Sequence, residues 1–314
     1  MLALFWIFSF GVQAGETLTI AVSKSPLSLP IYVAESQGYF SSEGAQVKLD
    51  EVIGGHRSLK KLLDGEADLA TASEAVVMFN SFRRNDFAVI ATFVSSRDDV
   101  KIVVRKEANI TKPKHLVGKR IATVVGSASH YYLDTWLLFH DIDPKSVKVV
   151  NIHPEGMQAA LSKGEVDAVA IWEPYSYNLS KALVGSTVLP NVGIYDLTFN
   201  LIVHKKLMGM RDEELVKVLR ALARAQQFIK DEPLKAQAIL RTRLQLEQAY
   251  IDWIWSRNHY ELSLDQTLIS TLESEARWAR QEGHVTENKV INYLDFIFID
   301  PLMKALPMAV GIKK

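Results

Sequence analysis

The residues best suited to chemistry in this 314-residue chain are a serine turn and a pair of side chains at a strand exit. Ile121 to Val125 is an apolar, largely β-branched run that stops at Gly126-Ser127-Ala128-Ser129. After it, Tyr132, Leu133, Trp136, Leu137 and Leu138 recur at helical spacing, so the order predicts strand, tight turn, helix. Such a turn aims free backbone N–H groups at whatever sits above the strand end, and the helix N-terminus adds roughly half a positive charge. A small oxyanion can rest there without any Lys or Arg. The plainer alternative is that Gly126 and the serines only cap a structural helix. His130, just after the turn, either donates to an anion or is a satisfied structural group. Farther along, Trp172 ends an apolar run and is either core or a flat wall for the carbon part of a ligand. Glu173, before Pro174, either caps the next helix or holds an ammonium or ring N–H of a ligand.

Other chemistries find little support. The absence of cysteine removes disulfides, thiolate nucleophiles, Cys-ligated zinc and a lipidated N-terminal cysteine. There is no G-x-S-x-G elbow, no H-E-x-x-H and no phosphate-binding P-loop, and His153-Pro154-Glu155 alone is too short a set to hold zinc. No catalytic residue, cofactor or metal is expected, and the chain does not read as an enzyme. Its 36 basic and 36 acidic residues cancel without a run of like charge, so nothing attracts nucleic acid or an anionic membrane surface.

The elements that must position these residues alternate between strand and helix. Thr17 to Val22, Gln46 to Val52 and Ala67 to Ala72 read as strands, and Ile31 to Gln37 and Arg57 to Leu63 as helices, which implies a parallel sheet with helices on its faces. The pattern then repeats. Ile20-Ala21-Val22 is echoed by Ile121-Ala122-Thr123, Val47-Lys48-Leu49 by Val147-Lys148-Val149, and Gly65 to Ala70 by Gly164 to Val169, at offsets of 101, 100 and 99. Two α/β lobes of common plan follow. Ligands of open α/β sheets sit beyond the carboxyl ends of the strands, so facing lobes would enclose a ligand between the loops Lys24 to Pro30, Thr71 to Glu74, Gly126 to His130 and Trp172 to Tyr175. The polar break Ser95 to Asp99 and the extended run Tyr195 to Val203 read as two crossings. They assign 15–97 plus 199–314 to lobe 1 and 98–198 to lobe 2, with the helical tail after Lys205 covering lobe 1. Residues 1–14 read as a cleaved signal: Leu2 to Val12 is too short to span a bilayer, and Val12-Gln13-Ala14 offers small residues for cleavage before Gly15. A buried N-terminal strand or an uncleaved anchor is the alternative.

The run Leu29 to Phe40, the Gly65 to Ala70 segment, Leu116 to Ala122 and Trp172-Glu173-Pro174 together resemble the periplasmic substrate-binding proteins of ABC importers for nitrate, sulfonates and taurine. That superfamily also holds binders of thiamine pyrimidine precursors and a yeast-type pyrimidine synthase. The likeness runs from about Leu18 to Phe298-Ile299-Asp300-Pro301, and it implies a periplasmic binding protein type II fold, two lobes closing on a ligand by hinge motion. In the cleft loops that differ among members this chain has Ser25, Leu29, Ser73, Ser127, Ser129, His130, Trp172 and Glu173, which the resemblance makes candidate ligand-binding residues. The resemblance implies a monomer in the periplasm that captures a small organic anion and delivers it to a permease. A pyrimidine-precursor or other N-heterocycle binder, an exported sensor input and a pyrimidine-synthase-like enzyme are the alternatives. The last involves a cysteine-rich motif in the known enzymes, which this chain lacks.

Overall fold

A computed structural model describes residues 16–191, 193–287 and 289–312. The segment read as a signal peptide lies outside the described residues. The strands are β1 (Leu18–Ser23), β2 (Val47–Val52), β3 (Leu69–Ser73), β4 (Phe87–Ser96), β5 (Val100–Val104), β6 (Arg120–Thr123), β7 (Lys148–Asn151), β8 (Ala168–Trp172), β9 (Thr187–Val188), β10 (Leu197–His204) and β11 (Asn258–His259). They form two sheets, ordered β11-β4-β10-β3-β1-β2 and β7-β6-β8-β5-β9.

The sequence echo is a repeat of strand register. Ile20 lies between Leu49 on β2 and Leu69 on β3, and Ile121 lies between Val149 on β7 and Ala168 on β8. Asp68 and Asp167 repeat the same anchoring, each accepting the backbone N–H of a residue in the neighbouring strand, Thr19 and Arg120, at 2.9 Å. The central strands β1, β3 and β8 are almost wholly buried, as parallel strands covered on both faces must be.

In each sheet an antiparallel strand then joins the parallel core: β10 pairs with β3 and β5 with β8. The chain passes from β4 to β5 through 97–99 and returns from β9 to β10 through 189–196, so the returning strand begins at Leu197, slightly before the boundary drawn from sequence. The crossings are tied together. Asn191 Nδ2 donates to Arg97 O at 3.0 Å and to Asp98 Oδ1 at 2.7 Å, and Arg97 pairs with Asp196 at 3.1 Å.

The tail is helical, as its periodicity predicts. Helix Asp212–Asp231 buries Leu215, Val218, Leu219, Leu222, Ala225 and Ile229 and packs against helix Leu29–Ser36, with Asp212, Glu213 and Glu214 in its first turn opposing the helix dipole. Helix Gln266–Gln281 covers helix Glu74–Ser81. That last helix has no counterpart in the sequence reading, because Glu74 to Met78 are buried all round and leave no amphipathic stripe to read.

Candidate functional site

A small cavity lies where loops at the carboxyl ends of both sheets meet. It is lined by the hydroxyl-bearing Ser23, Ser25, Ser73 and Ser127, by the apolar Leu27, Val76, Ala128, Trp172, Leu197 and Phe199, and by Gly55, His56 and Asp99. No Lys or Arg among the described residues lines it. Its free volume is about 30 Å³, room for a water or two, so anything larger enters only when the walls part. A larger, open groove of about 790 Å³ outside it is lined by Lys24, Tyr175, Lys181, Arg243 and Tyr250. Two of its cations are already engaged, Lys24 with Glu51 at 3.8 Å and Arg243 with Glu35 and Glu51 at 2.8 Å each. The small cavity is the better candidate because, among the described residues, three unpartnered buried polar atoms, both ring nitrogens of His56 and Asp99 Oδ1, belong to its lining, against the Tyr250 hydroxyl alone in the groove.

Helix starts supply much of its polarity. Ser127 is the N-cap of helix Ala128–Phe139, in extended conformation, and its Oγ turns back to donate to Val124 O at 2.7 Å. The N–H groups of Ala128 and Ser129 have no acceptor among the described residues, as expected of a first helical turn. Ser25 Oγ accepts from Leu27 N at 3.1 Å across a 3-10 turn. Helices Gly55–Leu63 and Glu74–Ser81 also begin at the cavity. Gly55 is required there by packing: a Cβ would stand 2.9 Å from the Cα of Ala72.

Two titratable groups face the cavity. Both ring nitrogens of His56 are buried without a partner, and burial, with Arg57 and His153 nearby, lowers its pKa to about 4, so the ring is neutral and can donate one hydrogen bond and accept another. Asp99 is 3% exposed with an unpartnered Oδ1, and burial, reinforced by Glu173 and Glu74, raises its carboxyl well above the usual range. Behind Ser73, Glu74 accepts from the Tyr195 hydroxyl and from Thr198 N and Oγ1 at 2.8 and 2.9 Å, which links the cavity to the returning crossing. Burial raises both Glu74 and Glu275, and Glu74 itself raises Glu275 further.

Of the residues singled out from sequence, the fold brings Ser25, Ser73, Ser127 and Trp172 together around the cavity. Leu29, Ser129, His130 and Glu173 are not on its lining. Leu29 is fully buried in the hydrophobic core. Ser129 Oγ is turned inward, at 2.9 Å from both Thr123 Oγ1 and Ser127 Oγ. The ring of His130 stacks on Phe79 and meets Trp278 and His284. Glu173 is fully buried and accepts from the Ser176 hydroxyl and, at 3.3 Å, from Tyr177 N, which is the capping alternative. Burial raises its pKa to about 8. Successive strand residues face opposite sides, so with Trp172 toward the cavity its neighbour turns away. The sequence reading missed His56 and Asp99. Gly54-Gly55-His56 at the end of a predicted strand is the signal that could have found the first. Asp99 was legible only as part of a polar crossing.

The chain's fold is that of the periplasmic binding proteins. It superposes on the periplasmic aliphatic sulphonate binding protein SsuA from Escherichia coli with a TM-score of 0.78 at 19% identity, over 90% of this chain and 92% of that one. A desulfurization enzyme, DSZB, has the same fold at a TM-score of 0.67 and 16% identity, over 92% of this chain and 99% of that one. Within this class the chain belongs to the family described as NMT1/THI5 like, whose profile matches residues 25–236. It is 26% identical over 219 residues to the taurine-binding periplasmic protein of Escherichia coli strain K12, covering 69% of this chain and 67% of that protein. Such relatives support a solute-binding role. Among the described residues no helix is long and apolar enough to cross a membrane.

Proposed function

We propose that this protein is an exported solute-binding protein that captures a small aminosulfonate of the taurine class between lobes 15–97 plus 199–314 and 98–198 and presents it to an ABC importer's permease. The observation that carries the reading is the combination in one cavity of unpaired helix-start N–H groups and serine hydroxyls, an apolar wall, and a buried carboxyl with an unpaired oxygen. The Ala128 N–H at the helix start, with His56 and the lining serines, suits a sulfonate, whose charge these groups offset without a cation. Trp172 and Phe199 suit the short carbon chain. Asp99 takes the role that sequence reading gave to Glu173, accepting the ammonium, which in turn favours its ionised form. A zwitterion of no net charge thus meets a site with no permanent net cation. The names of the relatives, one a taurine binder and one a sulphonate binder, lean the same way.

A thermal-shift screen of the purified protein against taurine, alkanesulfonates, nitrate, bicarbonate, aminopyrimidines and a sulfinate tests it. A true ligand at 100 times its Kd stabilises the native state by about 2.7 kcal/mol. Taurine should shift the melt most. A shift with aminopyrimidines alone would move the chain to the heterocycle binders, and conversion of the sulfinate would make it an enzyme.

A further inference from the structure

His130, Asp134 and His284 each offer one ligand atom, and the three atoms lie within 4.8 Å of one another. His130 and Asp134 stand four residues apart on helix Ala128–Phe139 and so share a face. His284 comes from the segment after helix Gln266–Gln281, and its Nε2 lies 2.9 Å from Asp134 Oδ2. The rings of His130 and His284 are 4.3 Å apart between centroids. His130 is 2% exposed and Asp134 1%, while the His284 side chain keeps 23% of its surface, which leaves a path from solvent to an otherwise enclosed donor set. Phe79 and Trp278 wall the cluster on its apolar side. None of the three residues lines the ligand cavity.

Two imidazoles and one carboxylate form a donor set suited to zinc and its first-row neighbours, with a position left for water, whereas calcium and magnesium prefer oxygen donors throughout. We propose that His130, Asp134 and His284 form a binding site for a divalent transition-metal ion of the zinc class, separate from the ligand cavity. The site would act as a clasp. Helix Ala128–Phe139 packs on β5 and β8 of the second sheet, whereas helix Gln266–Gln281, which carries the His284 segment, packs on helix Glu74–Ser81 beside the first. A metal there holds these two layers together.

The site also reaches the serine turn. Gly126 N donates to His130 Nδ1 over a long 3.4 Å. A neutral imidazole that ligates through Nε2 carries its proton on Nδ1, and one that ligates through Nδ1 has its lone pair engaged, so in either case metal binding releases the Gly126 N–H. That N–H belongs to the turn that carries Ser127.

The test uses the full-length protein stripped with EDTA, dialysed and titrated with zinc chloride by calorimetry, with bound metal counted by mass spectrometry. Wild type should take up one zinc per chain. Losing a mere outer partner of a ligand costs about 10- to 100-fold in metal affinity, so His284→Gln and His130→Gln should each weaken zinc at least tenfold. His284→Cys supplies a direct signature. The chain has no other cysteine, so a thiolate-to-cobalt charge-transfer band on adding Co²⁺ would place residue 284 in the coordination sphere. Circular dichroism establishes that each variant is folded. No zinc uptake by wild type, undiminished affinity in His284→Gln, or a folded His284→Cys without the cobalt band would each overturn the site.

Discussion

Replacing Glu173 with Gln separates a carboxyl that caps a helix from one that reads a ligand. In the folded chain burial holds this group protonated up to about pH 8, against an ordinary value of 4.5. Between those values the folded state binds more protons than the unfolded chain, so the stability present below pH 4.5 is progressively lost as pH rises through the folded pKa. His56 and His130 act with the opposite sign. Lowered to about 4 from 6.5, they make the protein gain stability as pH rises through that window and contribute no slope above it. Above pH 6.5 the raised carboxyls are therefore isolated from the histidines. One proton is worth about 1.4 kcal/mol per pH unit, and Glu173 is half ionised at pH 8, so it should remove about 1.5 kcal/mol between pH 6.5 and 8. Gln cannot ionise, and because it loses one acceptor it starts about 1 kcal/mol less stable at pH 6.5. Urea denaturation of both proteins at the two pH values should thus show wild type losing about 1.5 kcal/mol more than Glu173→Gln. Taurine affinity at pH 6.5, where Glu173 is protonated and places no charge beside Asp99, should stay within about twofold. Parallel pH dependence in the two proteins would refute the account of the buried carboxyl, and a large loss of affinity would return Glu173 to the ligand.

Ser127→Asp places a carboxylate at the helix start where the sulfonate is proposed to rest, and calorimetry should show binding weakened by several kcal/mol; unchanged affinity would remove the anion cradle. Asp99→Asn should weaken an aminosulfonate by about 1.5 to 3 kcal/mol, the worth of a charged hydrogen bond, and leave a plain alkanesulfonate as tight or tighter; equal losses for both would remove Asp99 as the ammonium partner. Because the cavity admits only a water or two when the walls are together, small-angle scattering should show a larger radius of gyration without ligand than with it, and identical curves would defeat hinge closure. Mass spectrometry of exported material should find a mature N-terminus at Gly15, and a chain still starting at Met1 would remove the signal peptide.

Much of the fold was legible because the sequence carries its strand register twice. Ile20 and Leu69, and their echoes Ile121 and Ala168, are buried positions of parallel pairs, where cover on both faces demands apolar residues and so leaves a readable trace, while Leu49 and Val149 beside them lie on edge strands and are half-buried and exposed. The amphipathic helix Asp212–Asp231 was legible for the related reason that one face is core and the other water. Helix Glu74–Ser81 was not, since a helix buried all round carries no period. At the site, the loops Ser25, Ser73, Ser127 and Trp172 were legible from topology alone, but which neighbour points inward was not. Glu173 and Asp99 are both acidic residues beside apolar strands. Only the pairing of Val100 with Trp172 shows how the two strand ends meet, with Glu173 N donating to Asp99 O at 3.0 Å.

The same register suggests where ligand selectivity resides. In the first half Ser28 Oγ donates to the carbonyl of Ser23, and in the second Ser127 Oγ donates to that of Val124, each at 2.7 Å, so each half closes its first strand with a serine folded back on the strand's end. The two turns differ in what they leave free: the N–H groups of Leu27, Ser28 and Leu29 are bonded within the first, whereas those of Ala128 and Ser129 have no acceptor among the described residues, so the second turn is the one that fits the proposed oxyanion. Asp99, Leu197 and Phe199 lie outside the parallel strands that carry the echo, on or next to the segments that cross between the sheets. Those segments are bonded to each other through Asn191 and to Glu74 through Tyr195 and Thr198. Under the proposed function a ligand that engages Asp99 would contact a crossing segment, whereas one that offers only an anion would contact the turn at Ser127. For the aminosulfonate proposed above, the amino group is then expected to govern how firmly the lobes close, and the sulfonate whether the ligand is captured at all.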